Sequence, residues 1–509
     1  MENKENIKNI LESFDKLKSA RSKFDSARED IYKYVCPQTS ITDTNKIVCS
    51  SPISARMQLA NSLQSMLVSK GGNWFNLGFT QYKQENITDE MQYWLKQTEF
   101  SLSAILNNPD TNFFCSLHEF FLNLTAHGTA VLYIEEAENL AAPLYFKNIP
   151  IEECYFEDNR YGSVDTIYRL FKLTVKAACD IFFDNKKLKK AKEKDPDEKI
   201  ELLHCVVRES ENNKKYKSLY ILKDQEEILK EGIYDYFPFL VCRFIKHQGE
   251  SYGYSPAHSV MSDIKLLNEY RTLGIKIKQK QVNPALLVPR TGYFTPFNTS
   301  PGKINYYESG VADKVLPMSN LENIESTLSE QAQCQEAIRS AFFIDLLRMG
   351  KENKEMTATE ARARSSQQMQ MLSPIVHRIE AELLNPLIKT TYKILVKYDL
   401  IENANITQKP DIDVYYLSPF ARSSKYQNLE NIERFFVFSA QIGQINPSIY
   451  DNINFDELLR IYGKYQSVDM EIFKPAGEVD RQRRLQDQQA KAAREAEQMM
   501  EMAKMQNEN

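Results

Sequence analysis

Histidine is the residue type of this sequence best suited to acid–base chemistry, and its spacing argues against a catalytic site. The six histidines do not cluster along the chain, and no HExxH or GxSxG pattern is present. His127 precedes Gly128 between a predicted helix and a predicted strand, where histidine is more often a structural or capping residue than a base. Gly302-Lys303 lacks the upstream glycine and the following Ser or Thr of a phosphate-binding loop. The sequence therefore predicts no catalytic residue and no enzyme.

Metal-binding residues are present but are not arranged as a metal site. The eight cysteines are scattered, and none forms a CxxC pair. Asp and Glu are numerous, yet their spacing selects no metal either. We expect reduced thiols, no bound metal and no cofactor.

The charge of the chain excludes a protein that grips DNA tightly over a broad surface. The formal net charge is −5 and the isoelectric point is about 5.9, whereas such proteins carry a strong basic footprint. The lysine-rich stretch from Lys186 to Lys199 has Asp and Glu interleaved and no aromatic residue among its lysines. A solvated helix face and loop is the favoured interpretation, and a nucleic-acid contact is the alternative.

The composition indicates a folded protein with several subdomains. Of the 509 residues, 42% are hydrophobic and 26% are charged. The N-terminus, Met1-Glu-Asn-Lys-Glu, has no apolar segment of the kind a signal peptide needs. No apolar run approaches the ~18 residues of a membrane span. We therefore expect no membrane partner.

The first half of the chain alternates helical and β-type patterns. Apolar spacing predicts helices at about Ile7–Tyr34 and Ser54–Lys70, the second stopped by Gly71-Gly72. A buried helix over Phe113–Ala126 runs into the strand Ala130–Ile134. From about Pro143 to Phe244 the segments are mostly of β type.

The middle of the chain predicts two long helices around a proline-bounded module. Ser255-Pro256 is a good helix start, and the apolar stripe that follows ends at Asn283-Pro284. Pro289 to Pro317 is a small, mostly β or irregular module. The capping box Ser319-Asn-Leu-Glu322 opens a second helix to about Met349.

A third long helix is predicted from the capping box Thr357-Ala-Thr-Glu360 to Leu395, with two prolines inside it. Pro374 and Pro386 each remove a backbone donor, which costs about 3 kcal/mol in a helix interior. We expect this helix to kink or break at both. A strand at Ile412–Leu417 and C-terminal helical segments from about Tyr426 follow.

Several motifs in a fixed order carry a resemblance to a known family. They are Tyr34-Val-Cys-Pro37; Gly72-Asn-Trp-Phe75; the helix–His-Gly–strand stretch from Phe114 to Tyr133; Gly249-Glu-Ser-Tyr-Gly-Tyr254-Ser-Pro, with the helix that contains Leu266-Leu267-Asn-Glu and ends in Val282-Asn-Pro; and Met356-Thr-Ala-Thr-Glu-Ala361, followed by Glu382-Leu-Leu-Asn-Pro386-Leu. The pattern covers nearly the whole chain and resembles the head-to-tail connecting (portal) protein of podovirus-type bacteriophages.

The resemblance implies an α+β, helix-rich portal fold, with an α/β wing, a helical-hairpin stem, a small α/β clip and a helical C-terminal crown. The implied boundaries are wing 1–254, first stem helix 255–283, clip 284–318, second stem helix 319–347, tunnel loop 348–356, kinked wing helix and strand 357–425, and crown 426–509.

The resemblance also implies partners and a location. The subunit would form a homo-oligomeric ring, usually of twelve copies, at one capsid vertex of the virion, after assembly in the host bacterial cytoplasm. Its partners would be the major capsid and scaffolding proteins, the terminase packaging motor, tail adaptor proteins, and double-stranded DNA that passes through the ring without sequence specificity.

A portal must let DNA slide, so we expect only sparse, exchangeable cationic contacts in its channel. The candidates are Lys351 and Lys354 in the tunnel loop, with Arg348 at its edge, and then Lys276 and Lys280 on the stem. The alternative for each is a solvated charge or a charge paired between subunits. Two other protein classes stay open, namely a helical tail or internal scaffold protein of the virion, and a phage nuclease or hydrolase.

Overall fold

The structure is a computed structural model of the chain, and it describes most of unit 1 and part of unit 2. Unit 1 is Met1–Ser418 and unit 2 is Pro419–Asn509. The described residues are 2–37, 49–70, 72–80, 88–137, 139, 141–183, 185–210, 213–282, 286–287, 316–317, 324–347, 370–401, 411–417, 419–444, 446–466, 479, 481–486 and 488–491.

Helices account for most of the described secondary structure. In chain order they are α1 (Glu2–Ala20), α2 (Ser22–Tyr34), α3 (Ser51–Leu67), α4 (Asp89–Asn107), α5 (Phe113–His127), α6 (Val175–Ile181), α7 (Lys186–Lys194), α8 (Pro256–Ser259), α9 (Met261–Val282), α10 (Ile324–Ala341), α11 (Ile344–Leu347), α12 (370–379), α13 (Asn385–Lys397), α14 (Pro419–Gly443) and α15 (Phe455–Gln466).

The strands form four antiparallel sheets in the described part of the chain. They are β1 (Phe75–Phe79), β2 (Thr129–Glu136), β3 (Leu144–Ile149), β4 (Cys154–Asp158), β5 (Val164–Thr174), β6 (Lys199–Ser210), β7 (Asn213–Leu222), β8 (Glu227–Tyr234), β9 (Phe239–Arg243), β10 (Leu286–Leu287), β11 (Leu316–Pro317) and β12 (Ile412–Tyr416). Their orders are β4-β5-β6-β7-β8, β3-β2-β9, β1-β12 and β10-β11. The mixture of helices and sheets agrees with the predicted α+β class.

The five-stranded sheet buries one face against α1. Ile7 and Phe14 of α1 are seven residues apart, two helical turns, and therefore lie on the same side of the helix. They pack with Tyr155 and Leu203 of the sheet, and the Phe14 ring centroid lies 5.0 Å from that of Tyr155. Burying a side chain such as Phe14 contributes about 1.5–3 kcal/mol.

The three-stranded sheet forms a second core together with the start of the larger sheet. Val131 and Tyr133 of β2 and Val241 of β9 pack there with Phe156 of β4 and Val206 of β6. Because α5 runs directly into β2, the predicted helix–strand unit is confirmed. Helix α4 was not predicted, because its apolar residues are shared between a buried side and an exposed side.

The long C-terminal helix of unit 1 continues through both prolines in its described part, so a break is wrong. Helix α12 contains Pro374, and a π-helical turn over Glu380–Leu384 joins α12 to α13. Pro386 lies in the first turn of α13, where it cannot donate to the carbonyl of Glu382. The π-helical turn changes the hydrogen-bond spacing immediately before this proline, and such turns accommodate a local bend.

Three predicted helices are interrupted in the structure. Arg21 separates α1 from α2, and Val260 separates α8 from α9 with φ −118° and ψ 22°. Phe343 has a left-handed φ of 57° and ends the helix that was expected to reach Met349. Apolar periodicity persists across such joints, so the sequence pattern does not reveal them.

Unit 2 is built on the hairpin of α14 and α15. The Phe436 and Phe455 rings are 6.2 Å apart, and the Tyr462 hydroxyl donates to Glu433 at 2.9 Å. Both helices agree with the predicted helical segments. Phe435 and Phe438 of α14 are exposed, at 50% and 59%.

Candidate channel and assembly site

The predicted stem is an antiparallel helix pair, α9 and α10. Tyr270 of α9 forms a side-chain hydrogen bond with Glu330 of α10, an interaction that raises the pKa of Tyr270. Cys334 and Ile338 of α10 are buried, as are Ile264 and Leu267 of α9. The 22 residues of α9 give a rod of about 33 Å.

Beyond the C-terminal end of α9 and before α10, the chain forms a short two-stranded ladder of β10 and β11. Leu286 pairs with Pro317 and Leu287 with Leu316, in antiparallel register. The remainder of the predicted clip lies outside the described residues. The two stem helices and this ladder are thus the part of the stem and clip that the structure describes.

Two of the sequence motifs meet at the base of the stem through glycine. Gly128 has a φ of +74°, and a Cβ atom there would lie 2.3 Å from the backbone carbon of Tyr254. Gly253 has the reciprocal restriction, because its Cβ would lie 2.3 Å from the Gly128 carbonyl oxygen. The Gly253 amide donates to the Thr129 hydroxyl at 2.7 Å. Only glycine at both positions lets the two backbones approach this closely.

The start of α8 is fixed to the same place. The Ser255 hydroxyl donates to the Ala126 carbonyl at 2.6 Å, and the Ser255 amide donates to His258 Nδ1 at 3.0 Å. This reciprocal capping confirms the predicted helix start. Lys265 of α9 adds an ion pair with Asp30 of α2 at 2.6 Å. These contacts fix the start of the α8–α9 segment against α2 and α5.

His127 is a structural residue, as the sequence indicated. It is 2% exposed, and its Nε2 atom lies 3.6 Å from the Cys36 sulfur. Burial lowers the pKa of His127 to about 3, and the positive charges of Arg56 and Arg28 act in the same direction. A histidine that stays neutral in this way, inside a packed core, is poorly placed to exchange protons with a substrate.

Arg243 is the central residue of a buried ionic junction that the sequence reading did not predict. Its side chain is 1% exposed and donates to Asp158 at 2.7 Å and to Glu382 at 2.7 and 3.2 Å. Its guanidinium also donates to the Gly162 carbonyl at 2.8 Å, and Lys246 pairs with Asp158. Burial opposes the charge of Arg243, but the two carboxylates outweigh it and raise the pKa of Arg243.

This junction connects three elements of unit 1. Arg243 ends β9, Asp158 ends β4, and Glu382 lies in the π-helical turn between α12 and α13. The signal that could have revealed it is a charged residue that ends the apolar run from Phe237 to Cys242. A second buried cation, Arg21, donates to the carbonyls of Ile151, Glu152 and Cys154 at 2.6–3.0 Å.

The stem leaves large apolar side chains exposed in the single chain. On α9, Leu266 is 39% exposed, Leu273 50% and Ile275 47%, and on α10 Leu328 is 55% exposed. By helical spacing, Leu266 and Leu273 share one side of α9, whereas Ile275 lies on the opposite side. A rod with apolar residues on two sides is typical of a helix that packs between neighbours.

The structure describes only part of the predicted channel set. Lys276 is exposed on α9, and Lys280 lies four residues farther along the same helix, on the same side. The side chain of Lys280 lies outside the described residues, as do Arg348, Lys351 and Lys354. Lys276 lies on the same side of α9 as Leu273. The proposed channel contacts therefore stay a prediction.

Within the described ranges, no group of three or more His, Cys, Asp or Glu side chains is arranged to hold a metal ion. The helices of those same ranges include none with the length and apolar character needed to cross a membrane.

Comparison with known proteins gives a family match over nearly the whole chain. Residues 7–473 match the model described as bacteriophage head to tail connecting protein. The portal protein of Salmonella phage epsilon15 is 25% identical, over 95% of this chain and 92% of its own length. The probable portal protein of Bordetella phage BPP-1 is 23% identical, over 96% and 92%. The portal protein of Enterobacteria phage T3 is 22% identical, over 75% and 73%.

Solved structures also align with the chain. The neck of an empty gene transfer agent particle, computed with C6 symmetry, aligns with a TM-score of 0.42 and 10% identity, over 84% of this chain and 94% of that one. The neck of the native particle, computed with C12 symmetry, aligns with a TM-score of 0.39 and 10% identity, over 78% and 89%.

Proposed function

Because the chain belongs to the family of bacteriophage head to tail connecting proteins, we propose that it is a portal subunit that forms a ring-shaped channel for viral DNA. The predicted resemblance is confirmed by the family match over residues 7–473. A portal subunit sits at the capsid vertex, joins head to tail and is structural, in agreement with the expectation that the chain is not an enzyme. The family match also favours this role over another virion protein or a phage nuclease.

The observation that supports ring formation is the exposed apolar surface of the stem. Leu273 is 50% exposed on one side of α9, and Ile275 is 47% exposed on the other. When a helix has apolar residues on two different sides, one side of each copy can pack against the other side of the next copy. Such a heterologous contact closes into a ring when the rotation between neighbouring copies is an integral fraction of a full turn. The usual count for this family would be twelve copies.

The division into functional segments is part of the proposal. The wing would comprise 1–254 and 357–425, the stem 255–283 and 319–347, the clip 284–318, the tunnel loop 348–356 and the crown 426–509. The helix pair α9–α10, joined by the β10–β11 ladder, supports the stem and clip assignment. The joint at Phe343 supports a change of direction before the tunnel loop.

DNA would pass through the ring without being held tightly. A net charge of −5 repeated in twelve copies gives a ring of about −60, which discourages adhesion of phosphate groups. Arg348, Lys351 and Lys354 would then supply weak, exchangeable contacts. For Lys276 and Lys280, the neighbouring Leu273 favours a location between subunits, where their charges would pair with a neighbour.

The proposed partners follow from the same role. The ring would contact the major capsid and scaffolding proteins, receive DNA from a terminase motor, and bind tail adaptor proteins. Its assembly would take place in the host cytoplasm before it enters the virion. Since the chain carries no phosphate-binding motif, packaging power would come from the separate motor.

The ring is tested by electron microscopy of the purified protein with one stem substitution. We expect annular particles for the unmodified chain and monomers for Leu273→Glu, because the added carboxylate must be desolvated in the contact. Ile233→Glu is the matched control, since Ile233 is 62% exposed on β8 of the wing. Complete rings from Leu273→Glu at the same protein concentration would contradict the proposed interface.

The channel contacts are tested in assembled heads. The double variant Lys351→Ala with Lys354→Ala should lower DNA packaging or retention, whereas Lys147→Ala, at an exposed position on β3, should not. Unchanged packaging and retention in the double variant would remove these lysines from the channel.

A further inference from the structure

The position of Gly274 distinguishes the two flanks of the α9–α10 helix pair. A Cβ atom at Gly274 would lie 3.6 Å from the side chain of Gln331, so position 274 of α9 faces α10. Successive residues of an α-helix are about 100° apart around its axis. Leu273 and Ile275, one residue to either side of Gly274, therefore project from opposite flanks of the pair. These are named the Leu273 flank and the Ile275 flank.

The two flanks of α9 carry opposite charges beside their apolar residues. Glu269 precedes Leu273 by four residues, and it is exposed on the Leu273 flank. Arg271 precedes Ile275 by four residues and Lys278 follows it by three, and both are exposed on the Ile275 flank. One flank therefore presents a carboxylate next to a leucine, and the other presents two cations next to an isoleucine.

Helix α10 adds one residue of the same character to each flank. Because α10 is antiparallel to α9, equal rotations about the two helix axes lead to the same flank of the pair. Relative to the buried Cys334, Leu328 lies about 120° toward the Ile275 flank, and Glu330 lies about 40° toward the Leu273 flank. Leu328 is 55% exposed, and Glu330 is exposed as well. The Leu273 flank thus gains a second carboxylate, and the Ile275 flank gains a second apolar side chain.

The complementary residues of the two flanks lie at nearly the same height along α9. Copies in a closed ring are related by rotation alone, so a stem that runs along the ring axis brings together residues at equal height. Leu273 and Ile275 are two residues apart, which is about 3 Å along the helix, and so are Glu269 and Arg271. Lys276 also lies on the side of Leu273, but about 10 Å farther along α9 than Glu269. That separation exceeds the screening length of about 8 Å at physiological salt, so Lys276 does not cancel Glu269 at the height of Arg271.

From these positions we propose that the Leu273 flank of each stem packs against the Ile275 flank of the next copy, with Glu269 paired to Arg271 of that copy. Leu273 then lies against Ile275 and Leu328, so three side chains that are about half exposed in the single chain leave water together. Charge complementarity favours a second copy over another partner, because one helix pair carries both halves of the contact. The inference rests on the proposed ring and deepens it, since it names the two surfaces that meet.

Two full-length variants and their mixture test this pairing. Glu269→Arg places arginine opposite Arg271 in every contact, and Arg271→Glu places glutamate opposite Glu269. Each variant alone should raise the protein concentration needed for rings by at least about tenfold, because like charges then face each other. An equimolar mixture should restore rings in which the two variants alternate, because every contact then joins an arginine to a glutamate. Electron micrographs of the particles give the fraction of protein in rings.

The outcomes separate this pairing from the ring itself. Lys147→Glu, at an exposed position on β3, is the control and should form rings like the unmodified chain. If the unmodified chain forms rings and the mixture is not restored, or if either variant alone forms rings as readily, the pairing is overturned and the ring stands. Arg271→Glu chains that form rings alone would also mean that another partner covers the Ile275 flank. If the unmodified chain forms no rings, the proposed function and the pairing are both overturned.

Cysteine cross-linking in assembled rings tests the same contact without a change of charge. In a chain with Cys115→Ser, which removes the exposed thiol, Leu273→Cys combined with Leu328→Cys should give a ladder of linked oligomers with a short bismaleimide. Each of these two substitutions alone should give unlinked subunits, because the contact joins unlike flanks. Linked dimers from Leu273→Cys alone would mean that like flanks meet. That result, or rings of the double variant without a ladder, overturns the proposal.

Discussion

The predicted wing and the predicted stem of this chain differ in how completely they bury their large apolar residues. In the wing, Phe14, Phe156 and Phe239 are almost completely buried within the single chain. In the stem, Leu273 and Leu328 remain at least half exposed, at 50% and 55%. The predicted wing thus contains cores of fully buried aromatic residues, whereas α9 and α10 share a narrow buried contact and leave Leu273 and Leu328 at least half in water.

The largest expected effect separates a buried ionic group from an exposed one. Arg243→Met should lower the free energy of unfolding by about 3–5 kcal/mol, because the two largely buried carboxylates lose the buried cation that joins them, and only Lys246 would remain for Asp158 and Arg378 for Glu382. Lys217→Met, which removes the exposed pair with Glu231, should cost less than about 1 kcal/mol. Urea unfolding of both variants measures the difference, and equal midpoints would contradict the central role of Arg243.

A smaller effect is expected where the wing approaches the stem. Gly128→Ala should cost about 2–3 kcal/mol, because it combines a left-handed φ with a collision against Tyr254 and Gly253. Gly249→Ala has a similar φ of +81° but nothing within 4 Å of the added Cβ, so it should cost about 1 kcal/mol. Thermal unfolding compares the two. If Gly249→Ala lowered the stability as much as Gly128→Ala, the backbone angle φ alone would account for the loss, and the collision at Gly128 would contribute nothing.

Acid should weaken the fold through His127, which is one of two almost fully buried histidines, with His204. The pKa of His127 is lowered to about 3 in the fold, against about 6.5 when unfolded, so the unfolded chain binds more protons between these values. Stability supplied by the neutral form is present above pH 6.5 and falls by about 2 kcal/mol between pH 7 and pH 5. His127→Gln should flatten this dependence in urea unfolding, and the exposed control His377→Gln should not. An unchanged slope in His127→Gln would contradict the assignment.

The smallest loss of stability is expected for an exposed leucine of α9, and a buried leucine of the same helix provides the comparison. Leu273→Ala should change the unfolding free energy of the monomer by less than about 0.5 kcal/mol, because its side chain is already half in water. Leu267→Ala, fully buried on the same helix, should cost about 2–5 kcal/mol. Chemical denaturation of monomers distinguishes them. A large loss for Leu273→Ala would mean that this side chain already packs within the subunit.

The sequence predicted the elements better than their joints and contacts. The apolar stripe after Ser255 identified the first stem helix, and the strand at Ala130–Ile134 was found inside β2. The interruption at Val260 was not predicted, because a one-residue change of backbone angle leaves hydrophobic periodicity intact. A π-helical turn lies before Pro386, where the sequence predicted a kink or a break, because proline removes a donor without dictating how the helix compensates.

The candidate site was predicted only in part, and the limit is physical. Cationic channel contacts were chosen by position in the chain, and the chosen tunnel-loop residues lie outside the described structure. The Arg243 junction joins residues separated by 85 and 139 positions in the chain, and no local pattern encodes such a distance. Of the three junction residues, only Glu382 lies in a motif named above, and that motif indicated a family resemblance, not a contact.

The contact between Gly128 and Gly253 limits how this protein can diverge. Contacting core positions can accept compensating substitutions, in which a larger residue at one position is matched by a smaller residue at the other. Here neither residue can become smaller, because each is already glycine and each faces the main chain of the other segment. We expect the glycine pair to persist in relatives whose sequences have drifted almost everywhere else, and a change at one position to find no second-site suppressor at the other.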